Sequence, residues 1–144
     1  MALAFSSTYR FRSKPAFLES KMPKIFIIED DAWMAECVAR AINTLPGAFT
    51  IDIFENAIAA MSALSDCPDA LPDLILLDVL LDGPDGFTLL HELSSYDDTA
   101  RIPIILVTSL RLNLADLTIY NVQNILYKDQ MTPSEIAETV QHVL

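Results

Sequence analysis

Leu74-Ile75-Leu76-Leu77-Asp78 is the stretch that decides the fold. A run this apolar, with no alternation, reads as a strand buried on both faces. A carboxylate inside such a strand would be costly to bury. At the C-terminal tip it reaches instead the edge of an α/β sheet where ligands bind. Three other segments end in the same way. Ile25-Phe26-Ile27-Ile28 runs into Glu29-Asp30-Asp31, Ile102-Pro103-Ile104-Ile105-Leu106-Val107 into Thr108-Ser109, and Ile125-Leu126-Tyr127 into Lys128. Parallel strands bring these tips to one edge, where Glu29, Asp30, Asp78, the Thr108 hydroxyl and the Lys128 ammonium would gather around one point.

Between these strands lie helical patterns. Asp31 suits the cap of a helix over 32–45, whose Met34, Val38, Ala41, Ile42 and Leu45 keep helical spacing until Pro46-Gly47 stops it. A second strand spans 49–54. Asn56 caps a helix with Ala57, Ala60, Met61 and Leu64 on one face. Residues 65–73 form a loop, and the decisive strand spans 74–78. Gly83-Pro84-Asp85-Gly86 is a turn before a helix over 87–95. Further strands are expected at 102–107 and 125–127, with a short helix between them carrying Leu110, Leu114 and Leu117. Thr132-Pro133-Ser134-Glu135 is a capping box that opens a last helix bearing Ile136, Val140 and Val143. Strands alternating with helices in this way indicate an α/β fold, a parallel five-stranded sheet with five helices covering both sides.

The chain has 144 residues, enough for a full core, and is 52% hydrophobic and 20% charged. No apolar stretch reaches the roughly 18 residues of a membrane span. The net charge of −11 is unevenly placed. Residues 1–22 hold Arg10, Arg12, Lys14 and Lys21 against Glu19, a net of +3, which leaves −14 for the other 122 residues. So acidic a body repels nucleic acid and attracts metal ions or positive protein surfaces. Residues 1–22 read as an extension, expected to be disordered, ahead of a domain over 23–144. An interaction arm or an organelle-targeting segment is an alternative reading. Pro15 could start a short helix over 16–19. Cys37 and Cys67 have no metal-type spacing and read as buried or half-buried thiols in a reducing cytosol.

The carboxylates at the sheet edge carry the chemistry. At about 5 Å and an effective dielectric near 20, each like-charged pair costs on the order of 3 kcal/mol. A hard divalent cation relieves that repulsion, and Mg²⁺ suits a site of few carboxylates and several waters. Aspartate can act as a nucleophile toward a phosphoryl group. Lys128 and the metal would then stabilise the transferring oxygens, with Thr108 donating a hydrogen bond. One Asp after one strand is usually a helix cap, but four tips bearing this set are hard to explain as caps. His91 and His142 read as surface helical residues. Trp33 either stands near the site or packs on the first helix.

Ile27-Ile28-Glu29-Asp30-Asp31, Leu76-Leu77-Asp78-Val79, Asp85-Gly86, Val107-Thr108-Ser109 and Tyr127-Lys128-Asp129 together span most of residues 24–144. In this combination the chain resembles the receiver domain of two-component response regulators. The resemblance implies a flavodoxin-like, doubly wound sheet of order 2-1-3-4-5. It implies that Asp78 accepts phosphate from a histidine kinase or a histidine phosphotransfer protein. It further implies Mg²⁺ held by Glu29, Asp30, Asp78 and the Leu80 main-chain carbonyl, with Thr108 as the switching hydroxyl and Lys128 as the cation beside the acceptor. Such a domain is cytoplasmic, takes phosphate onto its own Asp rather than turning over a substrate, and signals to a downstream protein. With nothing after Leu144, a stand-alone receiver is expected.

The chain departs from the family pattern at several positions. Ile125 stands where an aromatic switch residue is common, Asp129 where a proline follows the lysine, and Asp82 where a proline follows the acceptor, with Pro84 displaced. The interval from Thr108 to Lys128 is shorter than is typical. These departures keep open a receiver used only as a phosphorylation-independent binding module. An aspartate-dependent phosphohydrolase is the other rival. It would need a second aspartate two residues after the nucleophile, where Leu80 stands.

Overall fold

The computed structural model describes residues 22–81 and 85–144, and the backbone of residues 5–8. The helix expected over 16–19 and the Gly83-Pro84 part of the turn lie outside the described residues. The strands are β1 (Phe5–Thr8), β2 (Lys24–Ile28), β3 (Thr50–Phe54), β4 (Leu74–Leu77), β5 (Ile104–Thr108) and β6 (Val122–Tyr127). The α-helices are α1 (Ala32–Ile42), α2 (Ala57–Asp66), α3 (Gly86–Ser94), the single turn α4 (Asp97–Ala100) and α5 (Pro133–Val143).

The sheet runs β1-β3-β2-β4-β5-β6. Counted from Lys24, its five parallel strands take the order 2-1-3-4-5 of a doubly wound, flavodoxin-like sheet. The central strands β2, β4 and β5 alternate between two cores because side chains alternate across a sheet. Phe26, Ile28, Ile75, Leu77, Ile104 and Leu106 pack with Leu64 of α2 and Leu89, Leu90 and Leu93 of α3. Ile25, Ile27, Leu74, Leu76, Ile105 and Val107 pack with Val38 and Ile42 of α1 and Ile136 and Val140 of α5. Helices on both faces are the reason the central strands read as unbroken apolar runs.

Capping follows local chemistry. The Asp31 carboxylate accepts from the N–H groups of Trp33 (3.0 Å) and Met34 (3.1 Å), and the Asn56 side-chain oxygen accepts from Ala59 N–H (2.8 Å). Thr132 and Glu135 form the reciprocal capping box that opens α5. Helix α1 ends at Ile42, short of the expected 45. The Thr44 hydroxyl donates to the Ala41 carbonyl (2.6 Å) and Leu45 N–H to Ile42 (3.0 Å), so the last residues tighten into turns.

Four further features depart from the sequence reading. Within the extension expected to be disordered, Phe5–Thr8 pairs antiparallel with β3 as a sixth strand, covering what would otherwise be a sheet edge. The short helix expected to carry Leu110, Leu114 and Leu117 is replaced by two 3-10 turns, Leu114–Asp116 and Thr118–Tyr120. Asn113 caps the first of these, and Asn121, in the left-handed region at φ 61°, ends the second. Strand β6 begins at Val122, not 125, because an edge strand tolerates polar Gln123 and Asn124 facing solvent. Finally, Cys37 is half-buried as expected, but Cys67 follows the last turn of α2 and is exposed.

Candidate functional site

The ladder of the sheet continues one residue past several strands, and this fixes the site. Glu29 N–H donates to the Phe54 carbonyl (2.9 Å), Asp78 N–H to Ile28 (3.0 Å) and Lys128 N–H to Thr108 (3.0 Å). Each functional residue is thus held by the backbone of a neighbouring strand. Their side chains converge. The Lys128 ammonium donates to Asp78 Oδ2 at 2.8 Å and also to Glu29 Oε1. The other Asp78 oxygen, Oδ1, accepts from Leu80 N–H at 3.0 Å. Glu29 and Asp78 are both buried, whereas Asp30 is exposed. Carboxylate oxygens of Glu29, Asp30 and Asp78 lie within 4.8 Å of one another. Asp31 is committed to capping α1, which leaves these three for a ligand.

Above them opens a cleft of about 390 Å³ lined by Asp30, Asp31, Asp78, Leu80, Ser109 and Lys128. Thr108 lies beneath it, fully buried, with its hydroxyl oxygen accepting from Leu110 N–H at 3.2 Å. The exposed hydroxyl on this side of the cleft is therefore that of Ser109, which the sequence reading did not single out. Its signal was present in the chain, since the residue after a buried strand end is the first to emerge from the sheet. Leu80, which lines the cleft, is half exposed, and Leu110 is also exposed. Trp33, in the first turn of α1, is 68% exposed and is not among the residues that line the cleft.

One ammonium among three carboxylates leaves the site short of positive charge. Burial pushes the Glu29 carboxyl up to about 8; the charge of Asp78 adds to the rise, and Lys128 pulls against it. Burial alone would lower the Lys128 ammonium, but its hydrogen bonds to Asp78 and Glu29 outweigh that and raise it. Glu29 Oε2 is buried and has no hydrogen-bond partner among the described residues. A buried, unsatisfied carboxylate oxygen costs at least about 1–3 kcal/mol. Beside two further carboxylates, that orphaned oxygen fits a hard divalent cation better than it fits a closed structural network.

The 78–80 loop is packed tightly from behind. Gly86 opens α3 and donates its N–H to the Val79 carbonyl at 3.0 Å. A Cβ at Gly86 would lie 2.5 Å from Val79 Cα and 2.6 Å from the Asp78 carbonyl oxygen. Both are backbone atoms and cannot turn aside. Gly86→Ala is expected to destabilise the fold by roughly 1–3 kcal/mol, as overpacking does. Urea unfolding should show a lower midpoint at unchanged slope; an unchanged midpoint would mean that the 78–80 loop yields easily. The neighbouring Asp85 caps α3, and hydrogen bonds from Thr88 hold its carboxyl below the usual range.

A doubly wound sheet with an acidic pair, an aspartate and a lysine at its C-terminal edge defines the class. The family model described as the response regulator receiver domain matches residues 25–141, and the chain belongs to that family. Among curated relatives, the DNA-binding dual master transcriptional regulator RpaA of Synechocystis is 33% identical over 89 residues, covering 62% of this chain and 35% of that regulator. Response regulator Rcp1 of Synechocystis is 30% identical over 99 residues, covering 63% of this chain and 65% of Rcp1. The chain thus spans about a third of RpaA's length and just under two thirds of Rcp1's. Among solved structures, the Mn²⁺-bound form of Rcp1 superposes with a TM-score of 0.67 at 26% identity, covering 84% of this chain and 91% of that one. The phosphorylated cyanobacterial phytochrome response regulator RcpA gives a TM-score of 0.69 at 24% identity over 85% of this chain and 91% of its own.

Proposed function

We propose that this receiver domain is a phosphorylatable switch whose acceptor is Asp78. The observation that carries the reading is the Lys128 ammonium shared between Glu29 and Asp78, with Asp30 exposed beside them at the cleft. In the proposed reaction, an Asp78 carboxylate oxygen attacks the phosphorus of a phosphohistidine on a histidine kinase or phosphotransfer protein. The phosphorus–nitrogen bond breaks, its electron pair returns to the imidazole, and an aspartyl phosphate remains. Lys128 balances charge on the acceptor and then on the phosphoryl oxygens. Ser109 and, after rearrangement, Thr108 offer hydroxyl donors.

Glu29, Asp30, Asp78 and the Leu80 carbonyl would hold Mg²⁺. When bound, the cation supplies positive charge to the attacking carboxylate and the transferred oxygens. Support comes from the orphaned Glu29 oxygen and from Rcp1, which was solved with Mn²⁺. On the receiver reading the protein works in the cytoplasm; among the described residues no helix is long and apolar enough to cross a membrane. Output is by contact with a downstream protein, without turnover of a substrate and without nucleic acid as a partner. The intact set of acidic pair, acceptor and lysine favours this reading over a phosphorylation-independent binding module. Incubation with acetyl phosphate and Mg²⁺ should add the mass of one phosphoryl group to the chain. Equal labelling with the metal chelated would count against the reading.

The same cleft bears on the lifetime of the phosphorylated state. Leu80 lines it and Leu110 follows the lining residue Ser109; both are exposed, and neither side chain can orient a water molecule. Each tenfold change in rate needs only about 1.4 kcal/mol of barrier. Slow loss of phosphate is therefore expected in the wild type, with severalfold faster decay in Leu80→Asn and Leu110→Glu. Following the phosphorylated mass over time checks this, and identical decay in all three proteins would show that water access at these positions does not set the rate.

A further inference from the structure

Three consecutive residues after β5 are tied down, the first to Thr108 and the other two to the residues on either side of Lys128. Leu110 N–H donates to the Thr108 hydroxyl oxygen at 3.2 Å. The Arg111 guanidinium lies 4.4 Å from the centroid of the Tyr127 ring and donates to Asp129 Oδ2 at 2.7 Å. The Leu112 carbonyl accepts from the Tyr127 hydroxyl at 3.0 Å. Tyr127 and Asp129 flank the lysine that holds Glu29 and Asp78. Strand β6 ends at Tyr127, and the turn that follows places Asp129 beside Tyr127 against Arg111 and Leu112, while Lys128 reaches into the site.

We propose that Arg111, Tyr127 and Asp129 form a clamp of positioning residues that holds the 109–112 segment in the arrangement where Thr108 stays beneath the cleft. The proposal rests on the receiver reading, because it concerns what must move when a phosphoryl group sits on Asp78. Thr108 is fully buried and does not line the cleft, so its hydroxyl meets a phosphoryl oxygen only if the segment that starts at Ser109 shifts. That shift drags Arg111 and Leu112 away from Tyr127 and Asp129. The clamp therefore biases the chain toward its unphosphorylated form, and loosening it favours the phosphorylated form.

The links are weak one by one, which suits a bias that phosphorylation can overcome. The Arg111–Asp129 pair is about half exposed on both sides, 54% and 59%. Exposed ion pairs and surface cation–π contacts are each worth a few-fold in an equilibrium constant. The expected effect of removing one link is accordingly a three- to tenfold shift.

The test is the affinity of beryllofluoride, a phosphoryl mimic, in the presence of Mg²⁺. Arg111→Ala, Asp129→Asn and Tyr127→Phe should each bind it three- to tenfold more tightly than the wild type. Arg111→Ala combined with Asp129→Asn should gain no more than Arg111→Ala alone, because the arginine makes both the ion pair and the ring contact and Asp129→Asn removes only the pair. Asp129→Glu, which keeps the charge, should restore wild-type affinity. The affinity for Mg²⁺ alone should stay constant, since none of the three residues belongs to the carboxylate set; a merely structural role would give no such split. Unchanged or weaker beryllofluoride binding in the variants, with normal binding by the wild type, overturns the clamp and leaves the receiver reading standing. No binding by the wild type overturns the receiver reading, and the clamp with it. Should one substitution disturb folding, Tyr127→Phe, which removes a single hydroxyl, still decides the matter.

Discussion

Asp78→Asn should abolish phosphoryl uptake from acetyl phosphate while leaving the fold intact. The substitution is isosteric, and Leu80 N–H can still donate to the remaining side-chain oxygen in place of Oδ1. The reactive difference is large, because an amide has no anionic oxygen to attack phosphorus. Lys128 keeps its hydrogen bond to Glu29, so no buried ammonium is left unpaired. Glu29 also loses a like charge that helps raise its carboxyl, which moves it back toward the ordinary range. Labelling should therefore fall below detection in the mass spectrum, with an unfolding midpoint close to that of the wild type. Persistent labelling at the wild-type level would place the acceptor elsewhere.

Asp30→Ala is expected to weaken Mg²⁺ binding at least tenfold. Asp30 is the exposed member of the cluster, so its removal costs the fold little. It costs the cation a charged ligand. At 4 Å and an effective dielectric of 20, one pair of unit charges is worth about 4 kcal/mol, and only about 1.4 kcal/mol is needed for tenfold. A water molecule entering the vacated position recovers part of this, which sets the lower bound. Trp33 provides the signal, being close in sequence to Asp30 and 68% exposed. Its fluorescence should saturate with Mg²⁺ in the wild type at a concentration well below that needed in the variant. Equal affinity in both would show that Asp30 is a solvated turn residue and that the cation sits on Glu29 and Asp78 alone.

Both expectations stand on residues that the chain alone singles out. Apolar runs ending in Asp78, Glu29-Asp30, Thr108 and Lys128 point to parallel strands with a polar edge, because burial on both faces leaves the tips as the only place for charge. Caps at Asp31, Asn56 and Thr132 are equally local, since each uses a side chain to satisfy N–H groups two or three residues away.

What the sequence by itself determined, then, was the alternation of strand and helix, the caps and the set of groups at one edge. The tertiary structure decided how those groups meet. One ammonium is shared by carboxylates 99 and 50 residues distant, Glu29 and Asp78, and no periodicity encodes that contact. Thr108 went beneath the cleft and Ser109 onto its wall because the exact end of β5 depends on its pairing with β6, where the register shifts between Ile104 and Ile105. The two 3-10 turns in place of a helix, the polar start of β6 and the added β1 belong to the same class. All lie at or beyond an edge of the sheet, where fewer neighbours constrain the chain and hydrophobic patterning, the signal that sequence carries best, is weakest.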